Sequence, residues 1–536
     1  MKNNEGKLNI SLKRAVVYCL LTSLLLVLGW PPFKLNFLLF FGFIPLFFVV
    51  DSGLRVRKIL LLVYISLLFW LIGSMYWITY MTTNPAITIV KYVGYLFIPL
   101  LMFLTFWVFI QVKSKLGNKD WLWFFLPFLF VAYEYLDRSW DLGFSFLNLG
   151  FGLSPHPRWI QFYQFTGVEG GTFLILLVNV LLYLTLKNWR NVKKRKKNTV
   201  AVLSVVLLST ALNSLLWFWD NAETKEIKVL LYQPNLDTYE KRTIHTIEER
   251  LEAMEAHIEK LDLNEVDLLI APESFLVGAT NSPFIINESV NPKVFNRLKK
   301  IAALNDVNLL LGFDGVRLLR GNQFVGAMTK VNKSGHRFNK YDGTLLIGKD
   351  TSRLVQYYTK QKMIPFIERP PFVDQIAKKA YPLVLKNMGL NFSKTKSKQM
   401  KLEGIPFANL ICYEAQFPNY LSQVLKKGQF VVVSSNEEWS GNSIGHEQIE
   451  FYQSALAVCF KKNIVRCSNA GRSFIVNSKG EIGDKTSFGI TTSIIDAVRL
   501  SLNNSFYSVY RSWFSIVSIC FSILYVLLFV FLKPTK

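Results

Sequence analysis

The chain has 536 residues, of which 51% are hydrophobic and 15% aromatic, a composition too apolar for a protein built only of soluble domains. A formal net charge of +24 is compatible with nucleic-acid binding, but the basic residues are concentrated in every second loop between apolar segments. That distribution indicates membrane topology, so we expect a bilayer-embedded protein that binds no nucleic acid.

Eight apolar segments have about the length that a helix needs to cross a hydrocarbon core of about 30 Å, roughly 17–25 residues. They are Ala15–Trp30, Leu35–Val50, Ile59–Tyr80, Ile87–Val112, Trp121–Tyr135, Gly170–Leu186, Val200–Trp219 and Trp513–Leu532. The first seven predict a membrane domain over residues 1–219. The eighth predicts a C-terminal membrane helix within residues 511–536, followed by a short tail.

Much of the positive charge lies in every second loop, and the short intervening loops 31–34 and 81–86 are poor in Lys and Arg. The basic residues that carry this charge are Lys7, Lys13, Arg14, Arg55, Arg57, Lys58, Lys113, Lys115, Lys119, Lys187, Arg190, the run Lys193–Lys197, Lys533 and Lys536. By the positive-inside rule, the N-terminus and the tail face the cytoplasm. Residues 220–510 then lie on the periplasmic side of the cytoplasmic (inner) membrane.

Two features of the predicted membrane domain are unusual. Glu134 is an ionisable group at membrane depth, and Arg138 follows it at helical i,i+4 spacing, so we expect an ion pair between them. The external loop Asp137–Glu169 is rich in aromatic rings. Such a loop either dips into the membrane interface or packs against neighbouring helices.

From Glu226 onward, short apolar runs alternate with polar segments that are compatible with helices, such as Glu248–Leu261 and Pro292–Leu304. The runs are Val229–Tyr232, Leu268–Ala271, Asn308–Gly312, Thr344–Ile347, Phe407–Cys412, Phe430–Ser434 and Ile464–Ser468. Strands that alternate with helices predict an α/β domain of layered sheets over residues 220–510.

Three residues next to apolar runs of this domain are candidates for catalysis. Glu273 follows the run Leu-Leu-Ile-Ala-Pro, Lys360 precedes Gln-Lys-Met-Ile-Pro-Phe, and Cys412 lies in Ile-Cys-Tyr-Glu. Each has an ordinary interpretation when it is taken alone. These are a turn carboxylate, a surface lysine and a buried thiol that acts as a small hydrophobe.

Together the three side chains could perform acyl transfer. Glu273 can accept the thiol proton of Cys412, and Lys360 can stabilise both the thiolate and an oxyanion. The backbone N–H of Tyr413 can donate to the same oxyanion. A Cys412–His446 dyad is the alternative within this region, but the carboxylate stands in the better context at a strand end.

The order Pro-Glu-Ser, then Tyr-Thr-Lys-Gln-Lys-Met-Ile-Pro-Phe-Ile-Glu, then Ile-Cys-Tyr-Glu resembles the Glu-Lys-Cys segments of the nitrilase superfamily. Placed between seven membrane segments and one more, these segments resemble the apolipoprotein N-acyltransferases, which add the third acyl chain to bacterial lipoproteins. The resemblance implies a polytopic α-helical membrane domain with eight transmembrane helices in all, joined to an αββα sandwich. It also implies that Glu273, Lys360 and Cys412 are the catalytic residues.

Five further residues are candidates for supporting roles. Glu368 and Glu414 are close in sequence to Lys360 and Cys412, and they either keep the lysine charged and oriented or form exposed surface ion pairs. Trp439, Asn436 and Asn339 stand where the family carries similar residues, and we expect them to bind substrate.

The sequence also departs from the family pattern. Ile367 replaces a glycine before Glu368, which bears on the shape of that loop. Glu437-Glu438 and Ser440 replace residues around the tryptophan, so contacts with an acyl chain are expected to differ. Lys362 replaces a histidine, but Lys360 keeps the family's position relative to the Met-Ile-Pro-Phe segment and remains the candidate.

The resemblance implies a ping-pong reaction without cofactor or metal, carried out by a monomer. A phospholipid donates an acyl chain to Cys412 as a thioester, and the α-amine of a diacylglyceryl apolipoprotein accepts it. Two alternatives share the same residues: a membrane-tethered amidase that uses water as the acceptor, and a non-catalytic membrane scaffold.

Overall fold

The structure is a computed structural model that describes residues 8–81, 85–219, 225–237, 246–278, 284–319, 328–332, 334–352, 355–374, 392–394 and 399–532. Lys7 and the predicted cytoplasmic tail, residues 533–536, lie outside these ranges. The helices before the first strand are α1 (Leu12–Gly29), α2 (Leu39–Gly42), α3 (Ile44–Val50), α4 (Val56–Met75), α5 (Pro85–Leu116), α6 (Leu126–Asp137), α7 (Tyr163–Thr166), α8 (Val168–Lys187) and α9 (Val192–Phe218).

Six helices among the described residues are long and apolar enough to cross a membrane, namely α1, α4, α5, α8, α9 and the C-terminal α15 (Trp513–Phe531). The other two predicted segments are shorter and interrupted. 3-10 turns at Asn36–Leu38 and Asp120–Phe125 precede α2 and α6. A proline lies in the first turn of both α3 and α6. Proline has no N–H to donate and is therefore tolerated at the start of a helix but not in its interior.

The predicted ion pair between Glu134 and Arg138 is wrong, because Arg138 pairs with a different carboxylate. Arg138 donates instead to Glu169 at 2.5 Å, because α6 ends at Asp137 and the arginine turns towards the first turn of α8. The Glu134 carboxylate accepts from the Leu149 N–H at 2.6 Å and the Thr172 hydroxyl at 2.8 Å. Both acids are buried, so each depends on its own partners.

The aromatic loop between α6 and α8 packs against neighbouring helices. Phe146 and Phe151 are buried, and the Phe151 ring lies 4.7 Å from the ring of Tyr452. The Tyr452 hydroxyl also donates to the backbone oxygen of Phe146 at 2.7 Å. Of the two interpretations of this loop, packing is the one that the structure shows for these rings.

The strands that follow α9 confirm all seven predicted runs. They are β1 (Lys225–Gln233), β2 (Leu268–Val277), β3 (Phe284–Ile285), β4 (Asn308–Leu318), β5 (Lys330–Val331), β6 (Arg337–Ile347), β7 (Gln356–Thr359), β8 (Met400–Leu402), β9 (Ile405–Ile411), β10 (Val431–Ser435), β11 (Ile464–Ser468), β12 (Phe474–Val476), β13 (Ile482–Lys485) and β14 (Thr492–Leu500). The helices are α10 (Ile247–Ile258), α11 (Pro292–Leu304), α12 (Pro418–Leu425), α13 (Gly445–Phe460) and α14 (Phe506–Tyr510).

Within the described residues the strands form two sheets. One has eight strands, with β14-β1-β2-β4-β6-β5 as its main path, and the other has six in the order β13-β12-β11-β10-β9-β8. Side chains from both sheets, including Leu231, Ile270, Val432 and Val465, form one buried cluster between them. Helices α10 and α11 cover the outer face of the first sheet, so these elements build an αββα sandwich.

Helix α13 joins the second sheet to the membrane helices. Its side chains belong to the same buried cluster as those of α1, α4 and α8. The Gln448 amide donates to the backbone oxygens of Pro31 and Ser74 at 2.8 and 2.9 Å, and accepts from Trp77 at 2.8 Å. The sandwich and the membrane helices therefore share one packed interface, and the site described next lies along it.

Candidate active site

Glu273 lies within strand β2 rather than after its end. The register of β2 against β4 shifts between Ala271 and Leu276, and Ser274 has a φ of +57°. Such an irregularity redirects a side chain out of the regular alternation of a strand. Gly312 on β4 makes room for it, because a Cβ there would lie 2.2 Å from the backbone oxygen of Pro272.

Lys360 follows the last residue of β7, and its side chain is fully buried. The ammonium contacts three carboxylates: Glu273 at 2.8 Å, Glu368 at 2.7 Å and Asp342 at 3.1 Å. An ammonium without partners would be far too costly to bury at this depth. These carboxylates raise the pKa of Lys360 well above its ordinary value despite burial, so the lysine is charged at neutral pH.

Asp342 is the member of this group that the sequence analysis missed. Burial raises its pKa well above the ordinary range, and the nearby Glu273 carboxylate raises it further. Burial also raises the pKa of Glu368.

The three carboxylates have the spacing of a metal site, since one oxygen from each lies within 4.8 Å of the others. The Lys360 ammonium contacts all three carboxylates and therefore occupies the position that a metal ion would take. The residues present therefore fit a charged lysine, and a metal ion would have to displace it.

Cys412 is the first residue after β9, and its backbone has a φ of +47°. This left-handed conformation is unfavourable for a residue with a Cβ and is typical of functional turns. A 3-10 turn, Cys412–Gln416, begins at this residue, so the backbone N–H of Tyr413 directly follows Cys412 in the chain. The Tyr413 hydroxyl donates to the backbone oxygen of Gly143 at 2.6 Å, which attaches this turn to the aromatic loop.

Burial raises the pKa of the Cys412 thiol well above its ordinary value. The negative charge of Glu273 raises it further, whereas the charge of Lys360 lowers it. The thiol is therefore protonated at neutral pH and needs a base when it reacts. These opposing effects also show that Glu273 and Lys360 both lie within electrostatic range of the sulfur.

Glu368 and Glu414 have different positions. Glu368 binds Lys360 directly and accepts from the Ile364 N–H at 2.9 Å, so it holds both the lysine and the loop before it. Glu414 accepts from the backbone N–H groups of Gln361 at 2.6 Å and Ile411 at 2.9 Å. Burial raises its pKa to about 7. Neither is an exposed surface ion pair.

The two competing candidates, Lys362 and His446, lie elsewhere. The Lys362 ammonium lies 5.1 Å from the centre of the Phe417 ring, and burial lowers its pKa. The His446 imidazole contacts the backbone oxygen of Gly441 at 2.7 Å, and burial lowers its pKa as well. The geometry thus favours Lys360 and Glu273 over these alternatives.

An apolar cavity of about 440 Å³ connects Cys412 with the membrane helices. Part of its wall comes from α4, α5 and the turn between them, including Trp77, Ile89 and Val93. The opposite wall comes from the aromatic loop, the segment Ile364–Ile367, Tyr413 and Trp439. Its size is typical of ligand-binding cavities, and its lining suits a hydrocarbon chain.

Two of the residues that depart from the family pattern, Ile367 and Glu437, line this cavity. Ile367 lines it directly, and Trp439 lies 5.7 Å from Trp77, ring centre to ring centre. The Glu437 carboxylate is buried and forms an ion pair with Arg466, while the Ser468 hydroxyl donates to it at 2.5 Å. This pair gives the apolar cavity one polar end near the thiol.

Asn436 and Asn339 are placed differently from Trp439 and are not among the described residues that line the cavity. The Asn436 side-chain oxygen accepts from Asn469 at 3.2 Å. The Asn339 amide accepts from the Thr329 hydroxyl at 2.8 Å and donates to the Tyr341 hydroxyl at 3.1 Å. Substrate binding by these two asparagines stays a prediction.

The raised pKa of Cys412 predicts its alkylation by iodoacetamide. Since only the thiolate reacts, the rate should keep rising with pH beyond about 8.5, the value for an ordinary thiol. Glu273→Gln removes a charge that raises the thiol pKa, so alkylation at pH 8 should become faster. Mass spectrometry of the Cys412 peptide measures the rate.

Glu265→Gln is the matched control for this measurement, because the Glu265 side chain is 86% exposed. Its alkylation profile should equal that of the wild type. A plateau near pH 8.5 in the wild type, or slower alkylation in Glu273→Gln, would contradict the electrostatic arrangement around the thiol.

Comparison with known proteins agrees with this architecture. Residues 22–181 match the apolipoprotein N-acyltransferase N-terminal domain, and residues 231–504 match the carbon-nitrogen hydrolase family. An apolipoprotein N-acyltransferase of Chlorobaculum tepidum is 25% identical over 489 residues, 87% of each chain. Those of Thermotoga maritima (24% identical, covering 94% of this chain and 91% of the relative) and Geobacter metallireducens (25%, 94% and 93%) match nearly end to end.

The carbon-nitrogen hydrolase match covers about half of the chain and includes Glu273, Lys360 and Cys412. The match before it covers much of the membrane part, from α1 into α8. The predicted resemblance to the nitrilase superfamily and to the apolipoprotein N-acyltransferases is confirmed. The chain belongs to the carbon-nitrogen hydrolase family, as a membrane-embedded acyltransferase that carries the N-terminal domain of apolipoprotein N-acyltransferases.

Proposed function

We propose that the chain moves an acyl chain from a phospholipid, through a thioester on Cys412, to the α-amine of the N-terminal diacylglyceryl-cysteine of lipoproteins. The observation that carries this proposal is the apolar cavity, which is lined by membrane helices and contains the candidate nucleophile. The names of the relatives, apolipoprotein N-acyltransferase, support the lipoprotein acceptor. No cofactor enters the reaction.

In the first half-reaction, Glu273 takes the Cys412 proton as the sulfur attacks the ester carbonyl carbon of the phospholipid. The negative charge that develops on the carbonyl oxygen is stabilised by the Tyr413 N–H and by the Lys360 ammonium. Collapse of this intermediate breaks the carbon–oxygen bond of the ester. The proton on Glu273 passes to the departing oxygen, which leaves a lysophospholipid and an acyl-enzyme.

In the second half-reaction, the lipoprotein α-amine attacks the thioester carbonyl carbon. Glu273 accepts a proton from the nitrogen, and the same two donors stabilise the oxyanion. The carbon–sulfur bond then breaks and the thiolate takes the proton back from Glu273. Because burial and Glu273 both raise the pKa of Cys412, the protonated thiol is the stable product.

The proposal includes a membrane topology with eight crossings. The six long helices are supplemented by the shorter apolar segments around α2–α3 and α6. Residues 1–219 form the membrane domain, 220–510 the catalytic domain on the periplasmic side of the inner membrane, and 511–536 the last crossing with its cytoplasmic tail. A monomer suffices, since one chain provides every residue proposed for the reaction.

The central experiment incubates purified protein with a phospholipid that carries an alkyne-tagged acyl chain. Label should appear on the wild type, be removed by neutral hydroxylamine, and move to a diacylglyceryl lipopeptide when this is added. Cys412→Ala and Cys412→Ser should stay folded and unlabelled. Cys520→Ser is the matched control, because Cys520 is an exposed thiol on α15, and it should be labelled like the wild type.

The outcomes of this experiment separate the alternatives. Loss of label to water, with free fatty acid as the product and no lipopeptide acylation, would identify an amidase-like hydrolase. No label on the wild type would identify a non-catalytic scaffold. Acyl transfer by either Cys412 variant would contradict the assigned nucleophile.

The two lysines should differ in their effect on acyl transfer. Lys360→Ala removes the ammonium that faces the oxyanion, so kcat/KM should fall at least about 100-fold. Lys362→Ala should cost less, because the Lys362 ammonium lies over the Phe417 ring. Circular dichroism and gel filtration check that both variants fold. A larger loss for Lys362→Ala would show that the wrong lysine was chosen.

The topology predicts the behaviour of reporter fusions. Alkaline phosphatase fused after Trp219 should be active, because it is active only outside the cytoplasm, whereas a fusion after Lys187 should be inactive. A cytoplasmic signal after Trp219 would exclude the periplasmic catalytic domain and with it the lipoprotein acceptor.

A further inference from the structure

We propose that Lys91, on membrane helix α5, forms a phosphate-binding subsite for the headgroup of the acyl-donor phospholipid. This inference rests on the proposed function, since it concerns the donor of that reaction. It is carried by the charge balance of the cavity, the depth of Lys91 in the bilayer and the exposure of its neighbours on α5.

The charged side chains that line the cavity do not balance one another. Among the described residues that line the cavity, Lys91, Glu437 and Arg466 carry charged side chains. Glu437 and Arg466 form an ion pair and neutralise each other. No carboxylate of the described residues lies within ion-pair distance of Lys91, so its charge is the one left unbalanced in an otherwise apolar cavity. An anionic ligand would balance it.

The contacts of the Lys91 ammonium leave it able to bind such a ligand. Its Nζ donates to the backbone oxygens of Thr79 at 2.9 Å and Met81 at 3.2 Å. These neutral acceptors fix the position of the ammonium without neutralising its charge. A lysine ammonium has three N–H donors, so one remains for a further acceptor. The Lys91 ammonium is thus held in place by two hydrogen bonds and keeps one N–H donor for a ligand.

The position of Lys91 along α5 matches the depth of lipid phosphates. Lys113 lies 22 positions later, near the basic end of the same helix. At 1.5 Å per residue, the two lysines are separated by about 33 Å along the helix axis, close to the thickness of the hydrocarbon core of about 30 Å. If Lys113 and Lys115 mark one interface, Lys91 stands at the other.

The cavity is open to the surroundings of α5 next to Lys91. Ile89 and Val93, on either side of it in sequence, both line the cavity and are 65% and 57% exposed. Apolar side chains this exposed at membrane depth face lipid. A phospholipid can therefore enter sideways, with its phosphate near Lys91 and one acyl ester directed towards Cys412 in the same cavity.

The test compares two acyl donors that carry the same fatty acid. One is phosphatidylglycerol, and the other is a p-nitrophenyl ester, which has no phosphate. Acylation of Cys412 is followed for the wild type, Lys91→Gln, Lys91→Arg and Lys58→Gln. Lys58 is an exposed lysine near the start of α4, outside the cavity lining, and serves as the matched control.

Lys91→Gln should lower kcat/KM with phosphatidylglycerol about tenfold, the loss expected for one charge-assisted contact, mainly through KM. Its rate with the p-nitrophenyl ester should stay within about twofold of the wild type by the same arithmetic. Lys91→Arg should restore most of the phospholipid rate, and Lys58→Gln should change neither.

Three results would overturn the inference. An equal loss with both donors would mean that Lys91 only holds the turn at Thr79 and Met81. An unchanged phospholipid rate in Lys91→Gln would exclude a phosphate contact. Absence of acylation in the wild type with both donors would refute the proposed function itself, and the inference with it.

Discussion

The structure depends on one buried charge. The Lys360 ammonium has no exposed surface and contacts Glu273, Asp342 and Glu368, which come from β2, from β6 and from the loop after β7. Burial of this lysine depends on these carboxylates, because a buried ammonium without partners would be far too costly. The same contacts position Glu273, so the arrangement that stabilises the sandwich also holds the residue that we propose as the base.

A second constraint is the interface between the sandwich and the membrane helices. Helix α13 packs into the same buried cluster as the membrane helices, and the Cys412 turn is attached to the aromatic loop through Tyr413. The thiol consequently opens into a cavity with exposed apolar residues of α5 on one wall. This location of the thiol is the observation that supports the proposed lipid donor over a soluble amide.

Much of this could be predicted from the sequence. Short apolar runs located the strands, because buried strands require uninterrupted apolar residues, and the order of Glu273, Lys360 and Cys412 identified the family. Asp342 was missed because its contact with Lys360 arises from the antiparallel pairing of β6 with β7, a register that no local pattern encodes. A charged residue beside the apolar run Thr344–Ile347 was the available signal.

The partner of Arg138 was mispredicted for a related reason. Helical spacing indicates which residues can meet only while the helix continues, and α6 ends just before Arg138. The arginine then reaches Glu169 on another helix, a contact set by tertiary packing. Glu414 accepts from the Ile411 N–H three residues before it and from the N–H of Gln361, the residue after Lys360, and this second contact is likewise set by tertiary packing.

The most direct measurement of the central claim is the kinetic competence of the acyl-enzyme. Protein loaded with a labelled acyl chain on Cys412, and freed of phospholipid, is mixed rapidly with a diacylglyceryl lipopeptide, and transfer is followed in a single turnover. The account predicts that the label reaches the lipopeptide amine at least as fast as steady-state turnover. Transfer slower than turnover, or transfer that requires fresh phospholipid, would contradict a thioester intermediate on Cys412.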